Sequence, residues 1–165
     1  EPWYFWGAAD LMSNMGQGLF TLANTRHILN VDWQVGWQNV KDPEWEITPT
    51  WGYSVNRFAT VFAGMDMNRV NDKADTTHGV LGFRYLLPLN IGFGSWINTD
   101  AEFRFTAWKY LHITPRLTAF GEARYDTGTK WENRLGLSYM INQSISIMAQ
   151  WHSDYGLGGG VQVRF

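Results

Sequence analysis

Apolar and polar residues alternate along most of the chain with a period of two. Between positions 144 and 151, the odd-numbered positions hold isoleucine, alanine and tryptophan, and the even-numbered positions hold serine, methionine and glutamine. The last residues repeat the pattern, since Val161, Val163 and Phe165 alternate with Gln162 and Arg164. Because successive side chains of a β-strand point to opposite faces, the pattern predicts strands with one apolar and one polar face. Segments of this kind recur between turn sequences along the whole chain, which is typical of an all-β protein.

The residues on the two faces indicate how the sheet closes. The apolar face is assigned no charged residue, whereas the opposite face carries carboxylates, arginines and amides. Two closures fit: a sandwich with its apolar faces inside, or a membrane barrel with its apolar face toward lipid and its polar face toward the lumen. The apolar face places aromatic residues near strand ends, where transmembrane barrels carry their aromatic girdles. These residues are Trp3, Trp33, Trp37, Trp45, Trp51, Tyr53, Tyr85, Tyr125, Trp131 and Tyr139. The sequence therefore predicts a closed antiparallel transmembrane β-barrel.

The number of strands follows from the alternating segments. About eleven can be counted, and because single-chain bacterial barrels have even strand numbers, we expect twelve strands, with ten as the alternative. The stretch GLFTLANTR is where an extra short strand is expected. The turns LLPLN, HITPR and MINQS are short, while the segments 13–26 and 68–78 are expected to form longer loops. Residues 1–165 are predicted to form one barrel domain, located in the bacterial outer membrane.

Composition excludes several other classes of protein. Charged residues make up 17% of the chain and there are ten tryptophans, whereas globular domains carry about 25% charged residues. No apolar run approaches the roughly 18 residues of a transmembrane helix, which excludes a helical membrane protein. The net charge of −2 lacks the excess of basic residues that is typical of nucleic-acid-binding proteins. The absence of cysteine excludes disulfides and thiolate metal sites.

Acidic and basic residues recur on the polar face with the same two-residue spacing. Three predicted neighbouring strands each carry a glutamate followed two positions later by an arginine. Opposite charges on the same face of adjacent strands form cross-strand pairs. A ladder of ion pairs filling a narrow lumen is therefore predicted, and a solvated charged face is the alternative. The ladder would comprise Glu102, Arg104, Glu122, Arg124, Glu132 and Arg134.

Four stretches of the chain, taken in order, resemble the outer-membrane barrel of the bacterial copper resistance protein B family. They are LANTR, VLGFRYLLPLNIGFGSWINTDAEFRF, ITPRLTAFGEARYDTG and WHSDYGLGGGVQVRF. The chain is also similar to the related barrel appended to some periplasmic multicopper oxidases. The resemblance implies a role in copper handling across the outer membrane, with copper ion as ligand and a periplasmic multicopper oxidase or another complex subunit as partner.

Candidate copper ligands lie on the predicted lumenal face. Reduced copper favours thioether and imidazole ligands. Met148, His152 and Asp154 follow one another on one lumenal edge, and Met140 points inward from the adjacent strand. A transient site of soft ligands would suit ion passage, which requires binding that is neither absent nor tight. In the alternative interpretation, the methionines fill gaps and the histidine is hydrogen-bonded to a neighbouring carboxylate.

Two further classes of function are alternatives to metal handling. The sequence WHSD places His152, Ser153 and Asp154 together, but consecutive strand residues point to opposite faces, so the serine and histidine are not expected to form a nucleophile–base pair. The chain is therefore predicted not to be an enzyme, and a lipid-modifying activity is the less favoured reading. A structural barrel that anchors a larger outer-membrane or periplasmic complex remains the main alternative to copper handling.

Overall fold

A computed structural model describes residues 1–69, 75–128 and 130–165. The chain forms one closed barrel in which every strand pairs antiparallel with its neighbours in sequence, and β1 pairs with β12. The prediction of a closed twelve-stranded barrel is thereby confirmed. No helix among the described residues is long and apolar enough to span a membrane. The strands are β1 (Tyr4–Met12), β2 (Met15–Ala23), β3 (His27–Gly36), β4 (Glu44–Ser54), β5 (Ala59–Arg69), β6 (Thr76–Leu87), β7 (Ile91–Asn98), β8 (Phe103–His112), β9 (Leu117–Asp126), β10 (Lys130–Met140), β11 (Ile145–His152) and β12 (Gly156–Arg164), with one 3₁₀ turn, Pro88–Asn90.

The expected loop at 13–26 is wrong, because most of this segment forms β2. The strand lies in the stretch where an extra strand was also expected, and it pairs along its length with β1 and β3. Its alternation is weak in sequence because glycine takes two lipid-facing positions, Gly16 and Gly18. The indole of Trp33 on β3 covers both glycines, and a Cβ added to Gly18 would lie 2.4 Å from its Nε1. The apolar surface missing from β2 is thus supplied by its neighbour.

The outer wall is apolar and the inner wall polar, as the alternation predicts. Side chains such as Leu81, Leu135 and Ile147 are exposed on the outer wall, toward the position of lipid, whereas Gln150 and Ser146 are fully buried inside. Two charged residues of the described strands break the pattern, namely Lys109 and Arg69, which ends β5 and pairs with the outward-facing Trp45. Lys109 pairs with Gly121 in a register that turns both outward, so the expectation of a charge-free apolar face is wrong here. Its flexible stem allows the ammonium to reach the headgroup level near the end of β8.

The two ends of the barrel differ in their connections. The end that holds both termini, here called the terminal end, has turns of three or four residues, including the three predicted short ones. Four of these turns share one geometry, in which a side-chain oxygen of Asn24, Asn56, Thr114 or Asn142 accepts backbone N–H groups two and three residues later. The other end, here called the loop end, carries the longest connection, 37–43. Residues 70–74 of the predicted 68–78 loop lie outside the described residues.

Candidate metal centre and lumenal charge network

A network of ion pairs crosses the lumen near the loop end, centred on Glu46. Its two carboxylate oxygens accept hydrogen bonds from both terminal nitrogens of Arg104, at 3.0 and 2.9 Å. Arg104 also donates from Nε to Asp126 at 2.9 Å. Arg124 lies beside the same carboxylate, with its Nη1 3.4 Å from Glu46. The Arg104 and Glu46 side chains are 10% and 15% exposed, so water screens these charges little.

The network continues along β9 and β10. Arg124 also lies 3.4 Å from Glu122 and 3.7 Å from Glu132, and Arg134 donates to Glu122. The structure therefore brings five of the six predicted ladder residues together. Glu102 differs, because it lies in the turn before β8 and forms no ion pair with any described residue.

Glu46 and Asp126 are network members that the sequence analysis did not select. Asp126 pairs with Arg104 across the β8–β9 ladder, and the register of these two strands could have indicated it. Glu46 belongs to β4, on a different part of the wall. Its contacts with Arg104 and Arg124 cross the lumen, and they depend on barrel diameter and strand tilt rather than on any local pattern.

Next to this network, three potential metal ligands converge at the loop end of the lumen. Glu132, His152 and Asp154 each offer one ligand atom, and these atoms all lie within 4.8 Å of one another. His152 is buried on the last position of β11, with Nε2 3.0 Å from Glu132. Its Nδ1 accepts the backbone N–H of Asp154 at 3.0 Å. Because Nδ1 accepts, the neutral ring carries its proton on Nε2 and donates it to Glu132.

The tight turn from β11 to β12 shapes the electrostatics of this cluster. Asp154 is exposed, but partial desolvation still raises the pKa of its carboxyl, and the negative charge of Glu132 raises it further. In the same turn, Tyr155 stacks on the His152 ring at a centroid distance of 4.6 Å and donates its hydroxyl to Glu44. Burial and the Glu44 charge raise the pKa of Tyr155. The turn therefore holds two carboxylates close together beside a neutral imidazole, an arrangement that a cation would stabilise.

The structure separates the four sequence-predicted ligands into three places. His152 and Asp154 lie together at the loop end. Met148 lies four residues before His152 on β11, about 13 Å toward the terminal end by strand rise. It packs with the buried residues Met12, Met15 and Tyr155. Met140 pairs with Ser146 beyond it, toward the terminal end. Alternation correctly put Met140, Met148 and His152 on the lumenal face, but it carries no information about their depth along the barrel. Asp154 lies beyond β11 in an exposed turn, so its predicted place on the strand face is wrong.

The WHSD sequence forms no nucleophile–base pair. The Ser153 hydroxyl accepts the backbone N–H of Asn133 at 2.9 Å, while the ring nitrogens of His152 contact Glu132 and Asp154. The prediction that the chain is not an enzyme rests on this local argument and stays a prediction.

Comparison with known proteins gives the fold. No family model and no curated protein sequence matches the chain. The Salmonella typhi outer membrane phospholipase is similar in structure, with a TM-score of 0.58, 14% identity, and coverage of 96% of this chain and 89% of that one. The KdgM porin, in complex with disordered oligogalacturonate, gives a TM-score of 0.57 at 11% identity and covers 98% of both chains. A Rh. blastica porin variant gives 0.50 at 15% identity, covering 93% of this chain and 56% of the porin.

These neighbours are outer-membrane barrels with different activities, so the likeness concerns architecture. The closed twelve-stranded sheet, the lipid-facing apolar wall and the polar lumen agree with it. The chain has the fold of the bacterial outer-membrane β-barrels and belongs in that membrane.

Proposed function

We propose that this barrel takes part in copper handling at the outer membrane and binds copper at Glu132, His152 and Asp154. The observation that carries the proposal is the convergence of one imidazole and two carboxylates within 4.8 Å at the loop end of the lumen. Among divalent first-row metals, Cu²⁺ binds such nitrogen and oxygen sites most tightly. Asp154 is exposed, which leaves the site accessible from the loop side.

The protonation state of each ligand determines how metal binding depends on pH. The metal would take the Nε2 position of His152, which carries a proton in the neutral ring, so binding releases that proton. It would also compete with protonation of Asp154, whose pKa is raised. Affinity is therefore expected to increase with pH. The thioethers of Met12, Met15 and Met148 form a buried cluster with Tyr155, whose ring stacks on His152, and soft ligands of this kind suit reduced copper.

A copper titration of the purified barrel in detergent tests the proposal. Saturable Cu²⁺ binding is expected, with a nitrogen ligand visible by electron paramagnetic resonance. His152→Ala should abolish the binding and Asp154→Asn should weaken it. His112→Ala is the matched control, since this histidine is exposed and lies at the terminal end of β8.

Met148→Leu separates the two groups of ligands. This variant should leave Cu²⁺ binding unchanged and lower only the affinity for Cu⁺. Absence of saturable copper binding, or binding that is equal in the His152 and His112 variants, would contradict the proposal. A structural barrel that anchors a larger complex would then be favoured.

A further inference from the structure

The lumen contains a cavity that the metal centre does not use. Its volume is about 520 Å³, within the range of small-molecule sites. A second cavity of about 300 Å³ continues toward the terminal end, where it reaches Pro115 and Arg116. The two share five lining residues, Asp10, Gln17, Tyr110, Arg134 and Gln162. The smaller cavity is therefore adjacent to the larger one, on the side toward the terminal end.

One wall of the larger cavity is an aromatic platform. The indole of Trp108 lies flat against β7, where a Cβ added to Gly92 would be 2.1 Å from its ring and one added to Gly94 would be 3.6 Å away. The same indole lines the cavity. Tyr110, two residues further along β8, lines the cavity as well, and its hydroxyl forms no hydrogen bond with any described residue. The two glycines thus allow a ring to lie on the wall with its other face toward the cavity.

Two charged residues that line the cavity, Asp32 and Arg84, attract each other electrostatically but have few close hydrogen-bond partners. Asp32 accepts no hydrogen bond and forms no close ion pair among the described residues. Arg84 extends over the Phe62 ring, 4.1 Å from its centroid, and within the described part of the chain it donates a hydrogen bond only to Thr50, at 3.4 Å. Both residues are half-buried, and polar groups with restricted access to water are normally hydrogen-bonded. A carboxylate and a guanidinium left open toward the cavity indicate a ligand with hydrogen-bond donors and acceptors.

Charge around the cavity selects among polar ligands. Four carboxylates and four guanidinium groups line it, and they balance. A strongly anionic or cationic solute would gain no net attraction to offset the loss of its hydration, whereas a neutral polar solute has a much smaller desolvation cost, which hydrogen bonds to the lining can offset. The charged lining residues are Asp10, Asp32, Glu46, Glu122, Arg84, Arg104, Arg124 and Arg134.

We propose that this cavity binds a neutral saccharide, with one sugar ring packed on Trp108 and its hydroxyl groups hydrogen-bonded to Asp32 and Arg84. The C–H face of a sugar ring packs on an aromatic ring by dispersion. Its hydroxyl groups both donate and accept, which satisfies the carboxylate and the guanidinium at once. The inference is independent of copper binding.

Saturation-transfer NMR and calorimetry with glucose and maltose, and with galacturonate as the anionic comparison, test the inference. The barrel is kept in a detergent without a sugar headgroup. Saturable binding is expected, and Trp108→Leu and Asp32→Asn should each weaken it by about tenfold or more, the scale of losing one specific contact. Trp131→Leu is the matched control, because Trp131 is 64% exposed on the outer wall. Circular dichroism reports whether each variant folds. If Trp108→Leu does not fold, the result for Asp32→Asn decides the test.

Three results would overturn the inference. The first is no saturable binding of either sugar to the native barrel. The second is binding that survives both lumenal substitutions. The third is tighter binding of galacturonate than of glucose, because it would contradict the argument from balanced charge.

Discussion

Replacing Glu46 by glutamine tests whether the lumenal charges behave as a buried network. The substitution keeps the size of the side chain and removes the charge that accepts two hydrogen bonds from Arg104 and lies beside Arg124. Breaking a buried ion pair costs about 3 to 5 kcal/mol when the partner is left uncompensated. Here Asp126 still pairs with Arg104, so we expect a loss of about 3 kcal/mol, at the lower end of that range.

The measurement is the free energy of unfolding in urea, with the barrel reconstituted in lipid vesicles. Glu102→Gln is the matched control, since Glu102 lies in a turn and forms no ion pair with any described residue. We expect it to change stability by less than about 0.5 kcal/mol. If Glu46→Gln also cost less than about 1 kcal/mol, the pairs would be as weak as solvent-screened surface pairs, and the network would not stabilise the lumen.

Three other substitutions test separate parts of the structure. The folded-state pKa of Asp154 is raised above its ordinary value of 3.8, so the folded protein binds this proton more tightly than the unfolded chain does. Stability should therefore fall as the pH rises from 3.8 through the raised pKa. Asp154→Asn should remove this fall in urea titrations at several pH values. Gly18→Ala should destabilise by about 1 to 3 kcal/mol because the new Cβ meets Trp33, whereas Gly159→Ala, whose Cβ would have its nearest atom at 3.6 Å, should be close to neutral in the same assay. Lys109→Leu should stabilise the barrel in vesicles by at most about 1 kcal/mol, since a lipid-facing charge near the interface costs little; a gain of several kcal/mol would place the ammonium at the bilayer midplane.

Alternation predicts the barrel well because it is a local property of each strand. One face of every strand meets lipid and the other meets the lumen, and the sequence of each strand records this directly. The exception is β2, where Gly16 and Gly18 leave the outer face to Trp33. There the apolar surface comes from a residue of the neighbouring strand β3, so the sequence of β2 alone does not show an apolar outer face.

The candidate sites are less predictable because they depend on depth and on contacts across the lumen. His152 and Asp154 are close in sequence and remain close in space, while Met148 lies on the same face at a different depth. Glu132 was predicted only as a ladder residue. Its place beside His152 follows from the β10–β11 register, in which Arg134 pairs with His152.

Anomalous diffraction from crystals of the barrel soaked with Cu²⁺ tests the central claim most directly. A copper peak is expected at the loop end of the lumen, within coordination distance of His152 Nε2 and of the Glu132 and Asp154 carboxylates, and it should be lost in His152→Ala crystals. No peak at this position, or a peak that persists without the imidazole, would contradict the proposed metal centre.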